Sequence, residues 1–81
     1  MKIYEQFELL KRLDTLIRLK ATGTPAELAR KIKKSRATVY RLIDELKDLG
    51  ASVAYCRKRK SFVFTEPFEL NYEKILQRLK F

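Results

Sequence analysis

Apolar residues recur along this chain with two different periods, and the switch between them separates helices from a hairpin. Ile3, Phe7, Leu10, Leu13, Leu16 and Ile17 return every three or four positions, with neither Gly nor Pro among them. That spacing predicts a first helix over residues 2–21, stopped by Gly23. Tyr4, Leu9 and Leu19 widen its apolar face beyond the needs of one small core. The width fits either a long buried helix or N-terminal turns packed against a second subunit. Thr24-Pro25-Ala26-Glu27 then reads as a helix start. Thr24 caps, Pro25 brings a preset φ to the first helical position, and Glu27 sits at capping-box spacing. This second helix is short, because Ser35 offers a new cap eleven residues later. Leu28, Ala29 and Ile32 form its inner side, and the small Ala29 lets the next helix cross closely.

Ser35 opens a third helix that runs to Leu49 and stops at Gly50. Val39, Leu42, Ile43, Leu46 and Leu49 share one face, and Arg36, Ala37, Tyr40, Arg41, Asp44 and Lys47 the other. That outer face is cationic, aromatic and small in its N-terminal half. Beyond, it turns acidic through Asp44, Glu45 and Asp48. Past Gly50 the period drops to two, so 52–56 and 61–66 read as strands. Val53 and Tyr55 are expected on one face, and Phe62 and Phe64 on another that lies over the helices. Arg57-Lys58-Arg59-Lys60 forms the tip between them, and Pro67 ends the second strand. Asn71 caps a last helix carrying Tyr72, Ile75, Leu76 and Leu79. Phe68, Leu70 and Phe81 add apolar surface to this tail, which either folds back on the first helix or pairs with its twin in a dimer.

The charge is unevenly placed. Between Arg30 and Lys60 stand 11 Lys and Arg side chains against 3 acidic ones, so this segment holds +8 of the chain's net +9. Charge gathered on one motif is a footprint for a polyanion, whereas spread charge serves solubility. Four adjacent cations at a tight turn repel one another, and a polyanionic partner relieves that repulsion.

Composition narrows the chemistry. At 81 residues the chain fits one domain with a small core. No apolar run reaches the roughly 20 residues of a membrane span, and the N-terminus lacks a signal-peptide core. The single cysteine, Cys56, excludes an internal disulfide and suits a reducing cytosol. Without histidine, the usual zinc sites and histidine acid–base chemistry are excluded, and with only Gly23 and Gly50 no Gly-rich phosphate loop exists. The sequence therefore points away from an enzyme and away from any cofactor.

The stretch TPAELARKIKKSRATVYRLIDELKDLGA, from Thr24 to Ala51, resembles the bacterial helix-turn-helix, and the following YCRKRKSFVF makes the whole similar to a winged helix. It is similar to the N-terminal modules of WYL-type and DeoR-like regulators and of the biotin repressor. The resemblance implies an α+β, mostly α fold: a three-helix core plus a two-stranded β-hairpin wing, with a C-terminal helix added. The single domain over 1–81 would divide into helix 1 (1–21), helix-turn-helix (24–49), wing (52–66) and C-terminal extension (67–81). In such a fold Ala29, Val39 and Leu42 set the crossing of the two helices. Arg36, Ala37, Tyr40 and Arg41 face the major groove, and the wing touches phosphate or the minor groove. The chain departs from the family at the turn, where Lys33 stands in place of the usual Gly and Lys34 in place of an apolar residue. A Lys at positive φ costs roughly 1 kcal/mol or more, so a rearranged or extended turn is expected. Neither an effector domain of family type nor a small-molecule pocket is expected beside the module.

Physical chemistry assigns the roles. Arg36 and Arg41 suit guanine, since a guanidinium donates twice to O6 and N7. Tyr40 meets a phosphate or a thymine methyl, and Ala37 allows close approach. Thr24, Lys33, Lys34, Ser35 and Thr38 lie where phosphates would be held, and Arg57, Lys58, Arg59 and Lys60 add sequence-independent attraction. Three readings compete. The leading one is a cytoplasmic, nucleoid-associated regulator that binds double-stranded DNA as a homodimer through helix 1 and the C-terminal segment. The others are a non-specific architectural binder and a winged helix used as a protein adaptor, whose working face would be the acidic half of the third helix or the apolar tail.

Overall fold

A computed structural model describes residues 2–79, which form four helices and one antiparallel hairpin. The order is α1 (Ile3–Arg18), α2 (Pro25–Ile32), α3 (Arg36–Asp48), β1 (Val53–Cys56), β2 (Ser61–Phe64) and α4 (Tyr72–Leu79). The fold is α+β and mostly helical, as the periodicities predict. Phe81 lies outside the described residues, as does the side chain of Leu79.

One core joins the first three helices. Leu10, Leu13 and Ile17 of α1, Leu28, Ala29 and Ile32 of α2, and Val39, Leu42, Ile43 and Leu46 of α3 are all buried. Burial at Ala29 leaves room for α3 to cross close to α2. The tail folds back on α1, with Leu70 and Ile75 buried and the Phe7 and Tyr72 rings 5.4 Å apart. Arg18 secures it further, donating to the Phe68 carbonyl at 2.8 Å, pairing with Asp14 at 2.6 Å and lying over the Phe64 ring.

The helix starts follow their local chemistry. Thr24 Oγ1 accepts from the Glu27 amide (3.2 Å) while Glu27 Oε1 accepts from the Thr24 amide (3.0 Å). Donation from the Thr24 amide and then its hydroxyl holds the Glu27 carboxyl below the usual carboxylate range. This contribution is complete above the ordinary carboxylate pKa and is lost as pH falls through the lowered folded value. Ser35 and Asn71 cap α3 and α4, accepting from the amides of Thr38 (3.2 Å) and Lys74 (3.1 Å).

The helix ends correct two expectations. First, α1 stops at Arg18, and Gly23 is not its terminator. Lys20 takes the left-handed conformation (φ 55°), letting the Ala21 amide reach the Leu16 carbonyl at 2.9 Å and the Lys20 amide reach Ile17 at 3.0 Å. Gly23 serves the next helix instead, since a Cβ there would stand 3.0 Å from the Glu27 Cβ and crowd the capping box. Second, the turn after α2 is neither rearranged nor extended. Lys33 itself adopts φ 57°, ψ 45°, and the Lys34 and Lys33 amides close onto Ala29 (3.0 Å) and Arg30 (3.2 Å). The same double closure ends α3 at Gly50, with Ala51 onto Leu46 and Gly50 onto Lys47, both at 3.0 Å.

The hairpin corrects a third. Val53 pairs with Phe64, Ala54 with Val63, Tyr55 with Phe62 and Cys56 with Ser61. Cross-strand partners point the same way, so Val53, Tyr55, Phe62 and Phe64 share one face rather than two. Phe62 is buried, with the Tyr55 ring edge-on at 5.1 Å.

A buried polar clamp fastens β2 to the loop before α2. Thr22 and Ser61 are fully buried. Thr22 Oγ1 accepts from the Phe62 amide at 2.8 Å, and Ser61 Oγ accepts from the Thr22 amide at 3.1 Å. The two hydroxyls lie 3.0 Å apart. Among the described residues no buried side-chain polar atom is left without a partner.

Two measurements follow from these contacts. Thr22→Val keeps the shape but strands the Phe62 amide, so chemical denaturation should show a loss of about 1–3 kcal/mol. Thr22→Ser keeps the hydroxyl and should recover most of it, and equal losses in both variants would deny the clamp its role. Lys33→Gly relieves the left-handed cost against a smaller gain in unfolded-chain entropy, so stability should rise by roughly 0.5–1 kcal/mol. A Tm that fails to increase by a few degrees would show that the Lys33 side chain stabilises the turn by other means.

Candidate nucleic-acid interface

The buried stripe of α3 decides which of its side chains reach solvent. With Val39, Leu42, Ile43 and Leu46 inward, Arg36, Ala37, Tyr40, Arg41, Asp44 and Lys47 are all exposed. At roughly 100° per residue, the line opposite the core runs through Ala37 and Asp44. Tyr40 and Arg36 lie on one flank of that line and Arg41 on the other. The two arginines therefore stand on opposite sides of the helix.

The Tyr40 flank faces the hairpin. Its ring stands edge-on to Phe62 with centroids 6.4 Å apart, and Tyr55 packs on the other side of Phe62. One residue pair beyond Tyr55 and Phe62 the tip begins, and Arg57, Lys58, Arg59 and Lys60 are all exposed. The Lys60 amide closes the turn onto the Arg57 carbonyl at 3.3 Å, with Lys60 at φ 50°. The helix and the hairpin, separate in the sequence pattern, are joined by this aromatic contact. Among the described residues the Arg36 guanidinium makes no hydrogen bond or ion pair.

The Arg41 flank is different. A cleft of about 580 Å³ opens there between α1 and α3, lined by Glu5, Gln6, Lys34, Thr38, Arg41 and Glu45. Arg41 Nη2 lies 3.4 Å from Thr38 Oγ1, a weak contact. Lys34 donates to Glu5 Oε1 at 2.8 Å, a pair formed across 29 residues of sequence. The Lys34 ammonium, by hydrogen bond first and by charge second, holds the Glu5 carboxyl below its usual range. Both side chains remain partly exposed, so water and salt screen the pair. Nothing in the local pattern around Glu5 marks it as a partner for Lys34.

The other sites expected for phosphate have varied surroundings. Lys33 is exposed in the turn, lifted outward by its left-handed backbone. Ser35 and Thr38 hydroxyls lie 3.1 Å apart at the start of α3, where Ser35 is capping and Thr38 is largely buried. Thr24 is engaged in its own capping box at the start of α2. Lys31, unassigned from sequence, ties α2 to the preceding loop through the Ala21 carbonyl at 2.7 Å.

Around α3 the charge sign changes along the helix. Arg36 and Arg41 stand near its start, the end at which backbone amides favour anions. Asp44, Glu45 and Asp48 follow toward its close. Among the described residues no group of His, Cys, Asp and Glu side chains could hold a metal ion. No described helix is long and apolar enough to cross a membrane. Comparison with models of known families, with curated protein sequences and with solved structures finds no match to this chain.

Proposed function

We propose that this protein is a winged helix-turn-helix regulator that binds double-stranded DNA sequence-specifically. The observation that carries the reading is the Tyr40–Phe62 contact, which joins the exposed N-terminal half of α3 to the hairpin that bears the basic tip. On this reading α3 enters the major groove with Arg36, Ala37, Tyr40 and Arg41 toward base edges. The hairpin acts as the wing, and Arg57, Lys58, Arg59 and Lys60 meet phosphate or the minor groove. Lys33, Lys34, Ser35, Thr38 and Thr24 supply further phosphate contacts, with Lys34 shared between Glu5 and the backbone. Because Arg36 and Arg41 lie on opposite flanks of α3, they read different base pairs. The concentration of +8 between Arg30 and Lys60 supplies the long-range attraction.

A homodimer completes the reading. One recognition helix and one wing span too few base pairs for much specificity, and two half-sites would lie about one helical turn apart. Ile3, Tyr4 and the C-capping Leu19 of α1, with Tyr72 and Leu76 of α4, remain 47–69% exposed, and they supply the apolar surface for a second copy. The regulator acts in the cytoplasm, on nucleoid DNA, and needs no cofactor.

Two outcomes test the division of labour. Arg41→Ala should flatten base preference at one position of each half-site by about 1–3 kcal/mol, and Arg36→Ala should do so at a different one. A preferred sequence that survives both changes would remove base reading from α3. With about six phosphate contacts the log–log salt slope should lie near −5, and Lys58→Ala should reduce its size by about one without changing sequence preference. An unaltered slope takes the wing off the DNA.

A further inference from the structure

The face of α3 proposed to meet DNA carries one feature that works against a polyanion. Asp44 is exposed, and among the described residues its carboxylate has neither an ion pair nor a hydrogen bond. It stands seven residues after Ala37, within about 20° of the same line along the helix. That line is the one furthest from the buried stripe of Val39, Leu42, Ile43 and Leu46. It is therefore the ridge that penetrates a groove most deeply. Ala37 offers only a methyl group, so it permits α3 to sink. Asp44 then follows about 10 Å along the axis, less than the roughly 12 Å width of the major groove.

A carboxylate on that ridge has few acceptable neighbours. Phosphate oxygens, guanine O6 and N7, and thymine O4 are all acceptors and repel it. The major groove offers two donors, cytosine N4 and adenine N6. Adenine places the N7 acceptor beside its amine, so the second carboxylate oxygen meets an acceptor there. Cytosine has no such neighbour on its own edge. The arginines at Arg36 and Arg41 flank this line and satisfy guanine, which leaves the central position for a different base.

We infer that Asp44 is a specificity-determining residue that accepts a hydrogen bond from cytosine N4 in each half-site and rejects the other bases there. The inference rests on the DNA-binding reading above and adds to it a residue and a base. Asp44 contributes discrimination rather than affinity, because its charge opposes the phosphate field at every site that lacks the cytosine.

The test is selection of bound duplexes from a random pool by the wild type, Asp44→Ala and Asp44→Asn, each followed by binding to a fixed non-cognate duplex. The wild type should enrich a motif with a cytosine that Asp44→Ala no longer selects, losing roughly 10- to 100-fold discrimination at that one position. The same variant should hold the non-cognate duplex more tightly. Asp44→Asn should move the preference at that position toward adenine, whose N6 and N7 an amide matches twice. If Asp44→Ala keeps the whole wild-type motif and only binds every duplex more tightly, Asp44 merely repels and the inference is overturned while DNA binding stands. A wild type that retains no duplex overturns both.

Discussion

The buried stripe of α3 fixes that helix in rotation as well as in position. Val39, Leu42, Ile43 and Leu46 sink into the space shared with Leu10, Leu13 and Ile17 of α1 and Leu28 of α2. Exposing four such side chains would cost about 6–12 kcal/mol, comparable with the roughly 4–12 kcal/mol that stabilises a whole domain of this size. The rotation is therefore not adjustable without unfolding. Which side chains α3 shows to solvent, and which flank each occupies, is a consequence of packing on the far side.

The hairpin is positioned by contacts of a different kind. Its aromatic face rests through Phe62 on the flank of α3. Its other constraint is polar and directional, through the hydroxyls of Thr22 and Ser61. Apolar packing tolerates sliding, whereas a buried amide paired with one hydroxyl does not. The two together fix β2 against the flank of α3 and the loop before α2, and Arg18 braces the return of the chain from Phe64 through Phe68 to α4.

Those elements whose cause is local were legible in the sequence. The start of α2 needs only Thr24, Pro25 and Glu27, and the start of α3 only Ser35, so both read correctly. The stripe of α3 also read correctly, because it is strictly periodic and the exposed residues follow from it. The end of α1 did not, since it depends on Lys20 accepting a left-handed backbone and on Thr22 being drawn inward by Ser61, 39 residues away. The faces of the hairpin depend on register, which the four-residue tip sets by placing Cys56 opposite Ser61. Odd-numbered residues of β1 thereby oppose even-numbered residues of β2, so Tyr55 and Phe62 come together. Of the candidate site, the exposure of Arg36, Ala37, Tyr40, Arg41 and the tip was legible. The link from Tyr40 to Phe62 and the pairing of Glu5 with Lys34 arise only when distant segments meet.

The Thr22 hydroxyl also closes one margin of the small sheet. Phe62 directs its amide away from β1, toward a position where another strand would ordinarily pair, and a side chain occupies that position instead. The sheet is left with β1 as its margin, and among the described residues no strand pairs with its outer side. That margin is four residues long and runs directly into four like charges. A short margin ending in cations is a poor template for strand addition by another molecule. Growth of the sheet from chain to chain is thus discouraged at the hairpin, and copies of this protein that associate are steered to its helical side.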